Sequence, residues 1–443
     1  MIFKSAIKNI FKTSIFAGGI TFLVNLFFLA NVNKPDYGIY LIIIGLFAFS
    51  SRLLQGVDDV IIRFFHEKKN KQQNSFFITS LIIKIFLTFV AGIIIIIFFS
   101  DYIDSYQLSI NIYSLKYFIL TIFIFSFILC IKQLFLCLMY SCLEYDKIYS
   151  INLFTSVINA FLIIVLVSKY QSNIIYFIWI NITITSFQLA YYLFIFSKIQ
   201  IQKSKNVSFS KYLKYYFKEY YVKYGLPISI SHGLGYFNKD HGPNVFIGTF
   251  FGPEILAIIS ICKTVFEFIH NFVSNVLRKL YPVYFHYNSI KAIKNKIFKN
   301  IFLAGNLIYI FIGLLLLASY YSYFNYMGIE NNDLNFLIYL ILAFEFIFKF
   351  TPSYLGISIP TSKDTRGVLY SNFFRSLISL IFIFIGIFLE NVLVSLAGIT
   401  FGIIISIPLL LRYCPKNFKI KEIKVFFIVN FLGFILLINH IIN

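Results

Sequence analysis

Apolar residues along this chain come in long blocks and do not alternate. Stretches such as VAGIIIIIFF (90–99) and LIYLILAFEFIFKF (337–350) recur with short polar interruptions. A mostly apolar run of about 20 residues matches a helix crossing the hydrocarbon core of a bilayer. There every backbone group must find its partner within its own segment. On that pattern spans are expected near 14–33, 39–64, 75–99, 115–139, 148–167, 174–196, 226–250, 255–283, 301–323, 335–359, 368–389 and 392–411. A further run, VFFIVNFLGFILLINHII (425–442), reads as either a thirteenth span or a segment lying in the interface.

Composition agrees with the blocks. The 443 residues are 59% hydrophobic and 13% charged, with a mean hydropathy of +0.82. A water-soluble globular chain is about a quarter charged. The expected fold class is therefore an all-α polytopic membrane protein. The five cysteines (Cys130, Cys137, Cys142, Cys262 and Cys414) form an odd set without paired spacing, which argues against a disulfide framework or a metal site. Lys4, Lys8 and Lys12 precede the first apolar run, which ends LFFLANVNKPDYG without a small-residue cleavage pattern. It reads as an uncleaved first span.

Charge orients the spans. A cytoplasmic N-terminus would place 25 Lys and Arg residues in the inner loops and only Lys34, Lys116 and Lys169 in the outer ones. Cytoplasmic loops carry such an excess. The net charge of +20 is then mostly an inner-leaflet feature. Its expected partners are anionic lipid headgroups, not nucleic acid.

The halves of the chain repeat a pattern. NKPDYGIY (33–40) closes the first hairpin of one half and FGPEILAI (251–258) that of the other, with Pro35-Asp36 and Pro253-Glu254 at an offset of 218. The hydrophilic stretch around 198–225 divides them. The expected organisation is an N-terminal six-helix lobe (1–197), a basic cytoplasmic linker (198–225), a C-terminal six-helix lobe (226–412), and a basic segment with the thirteenth hydrophobic run (413–443). Six spans per half make these parallel repeats about an axis along the membrane normal.

On these residues the chain resembles the MATE-like (MOP) exporter superfamily, and within it the Wzx-type polysaccharide flippases. The resemblance rests on the opening stretch IFKSAIKNIFK, the PDYGIY turn, and LLQGVDDVIIRFFHEKKN at the end of span two. Asp240, Gly248, Gly252 and Pro253 add an acid followed by a Gly-rich turn in span seven. It covers the first two spans of each half; the others match in number and hydropathy. The resemblance implies two lobes related by a pseudo-two-fold axis, an alternating-access transporter and a bacterial inner-membrane location. It implies a polyprenyl-linked glycan as substrate, polysaccharide polymerase or assembly proteins as partners, and no cofactor.

Charges within the spans carry the candidate chemistry, because each is costly at bilayer depth. Ten Lys or Arg residues lie there: Arg52, Arg63, Lys84, Lys132, Lys239, Lys263, Arg278, Lys279, Lys349 and Arg375. Five acids accompany them: Asp58, Asp59, Asp240, Glu267 and Glu345. In span eight, Lys263, Glu267, His270, Ser274 and Arg278 share one helical face, which suggests a cavity lining or an internal tie between helices. In span two, Arg52, Gly56, Asp59 and Arg63 form the counterpart stripe, with Asp59 and Arg63 spaced to neutralise each other. Span seven contains HGLGYFNKDHGPNVF (232–246), where Pro243 is expected to kink the helix and bring Lys239, Asp240 and His241 to a bend.

An excess of cations favours an anionic cargo, since Lys and Arg hold phosphate through charge-assisted hydrogen bonds. Arg52, Lys239 and Lys263, with Lys84, Lys132 and Arg375, are the expected contacts to phosphate or acidic sugars. Asp240, Glu267 and His270, with His241, Asp59 and Pro243, are the expected coupling and gating positions. No nucleophile–base set, phosphate loop or metal spacing is present, and the expected outer loops are short. A membrane glycosyltransferase or O-antigen polymerase is therefore disfavoured. A multidrug exporter of the same superfamily is opposed by the cationic balance. A lipid II-type flippase is opposed by its usual 14 spans, for which this chain lacks the room.

Overall fold

The computed structural model describes residues 2–65, 70–104, 113–142, 144–170, 174–198, 209–237, 241–286, 291–358 and 366–413. Among the described residues all regular structure is helical, as the long apolar runs require. Eight described helices are long and apolar enough to cross a membrane, nine if one bent pair counts as a single span. Their outward faces carry large apolar side chains such as Phe86, Phe161, Phe311 and Phe384, as a lipid-facing surface does. The chain forms two compact units, Met1–Tyr236 and Phe237–Asn443.

The first unit begins with α1 (Ile2–Asn31) and continues through α2 (Lys34–Leu53) and α3 (Gln55–Phe64). It then runs through α4 (Asn70–Asp104), α5 (Tyr113–Ser141), α6 (Tyr145–Tyr170) and α7 (Ile174–Lys198). Pro35 and Asp36 sit in the first turn of α2, where a proline loses no helical hydrogen bond, and Asn33 Oδ1 accepts the Asp36 amide at 3.3 Å. The tight Pro-acid turn expected there is present.

Span two is not the continuous helix expected over 39–64. It breaks at Leu54, whose φ/ψ of −91/−2 leaves the helical register while Val57 N–H bonds back to Leu54 O at 3.1 Å. The cause is tertiary. Just past the break Gly56 lies against the chain entering α9, so closely that a Cβ there would stand 2.0 Å from the Gly225 carbonyl oxygen and 2.3 Å from Ser229 Oγ. That opposing chain is one long helical path: α8 (Phe209–Tyr216), a π-helical segment (Phe217–Gly225) and α9 (Leu226–Tyr236). The wider π turn ends at Gly225, at the crossing itself. π-bulges of this kind relieve or exploit local irregularity within helices. Around the crossing Val57, Val60, Ile61, Phe76, Leu134, Leu138 and Tyr216 form a buried core. Tyr236 O–H donates to Gly45 O at 2.9 Å and ties α9 back to α2.

Span seven also differs from expectation. α9 ends at Tyr236 and α10 (His241–Phe251) starts afresh. Pro243 therefore does not kink a continuous helix; it lies in the first turn of α10, where its missing N–H and fixed φ suit a helix start. The residues 226–236 pack with the first unit, so the boundary between units falls inside this span.

The second unit comprises α10, α11 (Pro253–His286), α12 (Lys291–Ala318), α13 (Tyr320–Met327), α14 (Asp333–Ser358), α15 (Arg366–Phe388) and α16 (Val392–Tyr413). Gly252 alone joins α10 to α11, with a φ of +97° that only glycine adopts readily. Pro253 and Glu254 then open α11, as in the first hairpin. The long span-eight helix is unbroken, unlike its counterpart α2/α3. α12 and α13 meet at 60° at Ser319. α15 and α16 form a tight hairpin whose turn is held by Asn391 Oδ1, which accepts the Leu393 amide at 2.9 Å. The hydrophobic run at 425–442 lies outside the described residues.

Gly56→Ala is expected to destabilise the first unit by about 1–3 kcal/mol, the usual range for overpacking. Gly19→Ala, where no atom lies within 4 Å of the added Cβ, should be neutral. Thermal unfolding of the two purified variants, compared with wild type, checks the contrast.

Candidate functional site

The described intramembrane charges fall into three groups. In the first unit the neighbouring acids of α3 point to different helices. Asp58 Oδ1 accepts from the Lys84 ammonium of α4 at 2.5 Å, with both side chains buried. Asp59 Oδ2 lies 3.3 Å from His232 Nε2 of α9. The half-helix after the Leu54 break is thus clasped from two sides. The expected Asp59–Arg63 pairing is not described, because the Arg63 side chain lies outside the described residues. Asp59 has His232 as its partner.

In the second unit, α11 and α14 bring together two cations and two carboxylates. Lys349 Nζ is 2.7 Å from Glu345 Oε1 and 3.8 Å from Glu267 Oε1. Lys263 Nζ is 3.7 Å from both Glu345 Oε1 and Glu267 Oε1. Helical spacing explains the arrangement: Lys263 and Glu267 are one turn apart on α11, as are Glu345 and Lys349 on α14. Facing one another, the two pairs form a neutral quartet. One turn along α11, His270 Nδ1 lies 3.0 Å from the Tyr309 hydroxyl of α12. Its Nε2 lies 3.3 Å from Ser274 Oγ and 3.4 Å from Ser353 Oγ. The span-eight stripe therefore faces α14 and α12 within its own bundle, tying the helices together. Arg278 and Lys279 side chains lie outside the described residues.

Three further described cations make contacts of other kinds. Lys132 of α5 donates to Gln188 Oε1 of α7 at 3.0 Å. Arg52 Nη1 lies 3.5 Å from Gln55 Oε1 beside the break in span two. Arg375 lies on α15, its side chain against α16 at Gly402. Lys239 and Asp240 lie outside the described residues, as does the His241 side chain, so the bend expected for them is not described.

Two of the six cations expected to meet an anion, Lys84 and Lys263, are thus held by carboxylates. Glu345 and Lys349 complete the quartet and His232 completes the α3 clasp, yet none of the three stood among the expected site residues. The i, i+4 spacing of Glu345 and Lys349 on α14 was the available signal; the inter-helix partners were not readable from one helix.

The backbone arrangement is shared with solved transporters. An inward-facing multidrug resistance MATE family transporter of the MOP superfamily aligns with a TM-score of 0.60 at 13% identity, over 95% of this chain and 96% of that one. The lipid II flippase MurJ, in an inward closed conformation, aligns with a TM-score of 0.63 at 17% identity, over 97% of this chain and 96% of that one. This is the fold of the MOP-superfamily transporters. A third member of that fold, from Pyrococcus furiosus Vc1 (DSM3638), is described as having a binding pocket of reversed polarity that suggests a different function. It aligns with a TM-score of 0.54 at 12% identity, over 98% of this chain and 96% of that one. No protein-family model and no curated relative matches the sequence. The MurJ alignment corrects one expectation: coverage of 96% of that flippase means that chain length does not separate the two.

Removing one partner of a buried ion pair strands the other charge. Lys84→Met is therefore expected to cost about 3–5 kcal/mol, and the double variant Lys84→Met/Asp58→Leu to recover most of it. Unfolding midpoints of the single and double variants measure the difference.

Proposed function

We propose that the protein is a flippase that moves a polyprenyl-pyrophosphate-linked oligosaccharide, such as an O-antigen or capsule repeat unit, across the bacterial inner membrane. The observation that carries this reading is the charge balance inside the spans, ten cations against five acids, on the fold of the MOP-superfamily transporters. A cargo bearing phosphate needs cationic partners in a low-dielectric setting, whereas a cationic drug needs exposed acids. Here Asp58, Glu267 and Glu345 are engaged by lysines. That engagement works against the multidrug alternative.

In this reading Arg52, Lys132, Arg375 and Lys239 meet the anionic cargo, while Lys84 and Lys263 act mainly by holding helices. Asp59, Asp240, His241, Glu267 and His270 are the coupling and gating groups, with Pro243 in the first turn of α10. The polar side chains within the spans bind the glycan, and the lipid tail stays in the bilayer. The basic loops face the cytoplasm and anionic headgroups. Polymerase or assembly proteins receive the cargo on the other side.

A polysaccharide-producing host that lacks the gene is expected to accumulate lipid-linked glycan on the cytoplasmic face and to lose surface polysaccharide. Wild type should restore export and Lys239→Ala should restore less than a tenth of it, measured as glycan accessible on each side of the membrane. Intact glycan export together with reduced efflux of cationic drugs would replace this reading with the multidrug one. Glu267→Gln is expected to abolish any dependence of export on the ion gradient, read by repeating the assay after the gradient is collapsed.

A further inference from the structure

The polar tract around Lys132 inside the first unit differs from the settings of the other described intramembrane lysines. Lys132 lies within the span Tyr117–Met139, partly buried between α5 and α7. An ammonium has three donors. The hydrogen bond of Lys132 to Gln188 uses one of them on a neutral amide, and among the described residues no carboxylate lies within ion-pairing distance. Lys84, Lys263 and Lys349 each have a carboxylate partner.

Gln188 Nε2 in turn donates to Thr155 Oγ1 at 2.7 Å and lies 3.4 Å from Asn152 Oδ1, both on α6. Asn159 lies on the same face of α6, one turn beyond Thr155 and about 6 Å along the axis. It is only 9% exposed, and its Oδ1 has no hydrogen-bond partner. A buried polar group left unpaired is costly, and an uncompensated charge more so. The two deficits are complementary: Lys132 lacks an acceptor with negative charge, and Asn159 lacks a donor. Water or a simple anion would satisfy one of them. A hydroxylated ring bearing a negative group would satisfy both, and the intervening residues are amide and hydroxyl side chains suited to sugar hydroxyls.

We infer that α5, α6 and α7 form a subsite for an anionic sugar, one carrying a carboxylate or a phosphate, with the negative group on Lys132 and a ring hydroxyl donating to Asn159. This rests on the flippase reading and deepens it: the tract selects acidic glycans within the cargo class.

The test uses the full chain in nanodiscs of zwitterionic lipid, titrated calorimetrically with glucuronate, glucose 1-phosphate, glucose and inorganic pyrophosphate. Saturable binding is expected for glucuronate or glucose 1-phosphate, at least tenfold tighter than for glucose; which of the two binds assigns the negative group. Lys132→Gln should lose that preference, Lys132→Arg should retain it, and Asn159→Ala should weaken the sugars tenfold without changing any affinity for pyrophosphate. If Lys132→Gln does not fold, the Arg and Asn159 variants decide alone. No saturable sugar binding, or equal binding of pyrophosphate with no effect of Asn159→Ala, overturns the subsite. The outcome is independent of the export assay. Binding with intact export in the deletion host would sink the flippase reading alone, and lost export without sugar binding would sink the subsite alone.

Discussion

A charge withdrawn from water must find its opposite, and in this protein that constraint fixes which faces of the helices meet. Asp58 and Lys84 hold α3 against α4, and the Lys263–Glu267–Glu345–Lys349 quartet holds α11 against α14. Apolar packing alone would leave rotation about each helix axis weakly determined, because lipid is as apolar as the core and offers little drive for one face over another. Ionic contacts supply the discrimination. The aromatic stack of Tyr309 on Phe346, with ring centroids 4.5 Å apart, fits beside the His270 contacts and not in place of them.

The same constraint explains why breaks occur where they do. An interrupted helix exposes backbone groups that lipid cannot satisfy, so a break must be enclosed by protein or water. The break at Leu54 is enclosed by the π-helical segment and α9, through the close approach of Gly56 to Gly225. Immediately after it, Asp58 and Asp59 are gripped by Lys84 and His232. A hinge-like position is thus surrounded by ionic partners from two helices. Rearranging it requires exchanging charges as well as apolar contacts, which suits a two-state element better than a continuously flexible one.

Neutralisation inside the protein also separates scaffold from function. Cations that have carboxylate partners hold helices together, and under the proposed function only the others are left to meet a cargo. Lys132, bonded to an amide and not to an acid, belongs to that surplus. The division is not visible in the count of ten cations and five acids, which treats every lysine alike.

Span length, helical class and the Pro-acid turns were legible in the primary sequence, because each follows from local chemistry. About 20 apolar residues fit a bilayer only as a helix, and proline at a helix start loses nothing. The i, i+4 spacing of Lys263 with Glu267 and of Glu345 with Lys349 was equally legible as pairing within a helix. Three things were decided only by tertiary structure. Span two breaks because Gly56 meets another backbone; Pro243 begins a helix because the chain changes units before it; and the two pairs on α11 and α14 become one quartet. Each depends on the rotation and approach of segments distant in sequence, and helical periodicity fixes which residues share a face without fixing what that face touches.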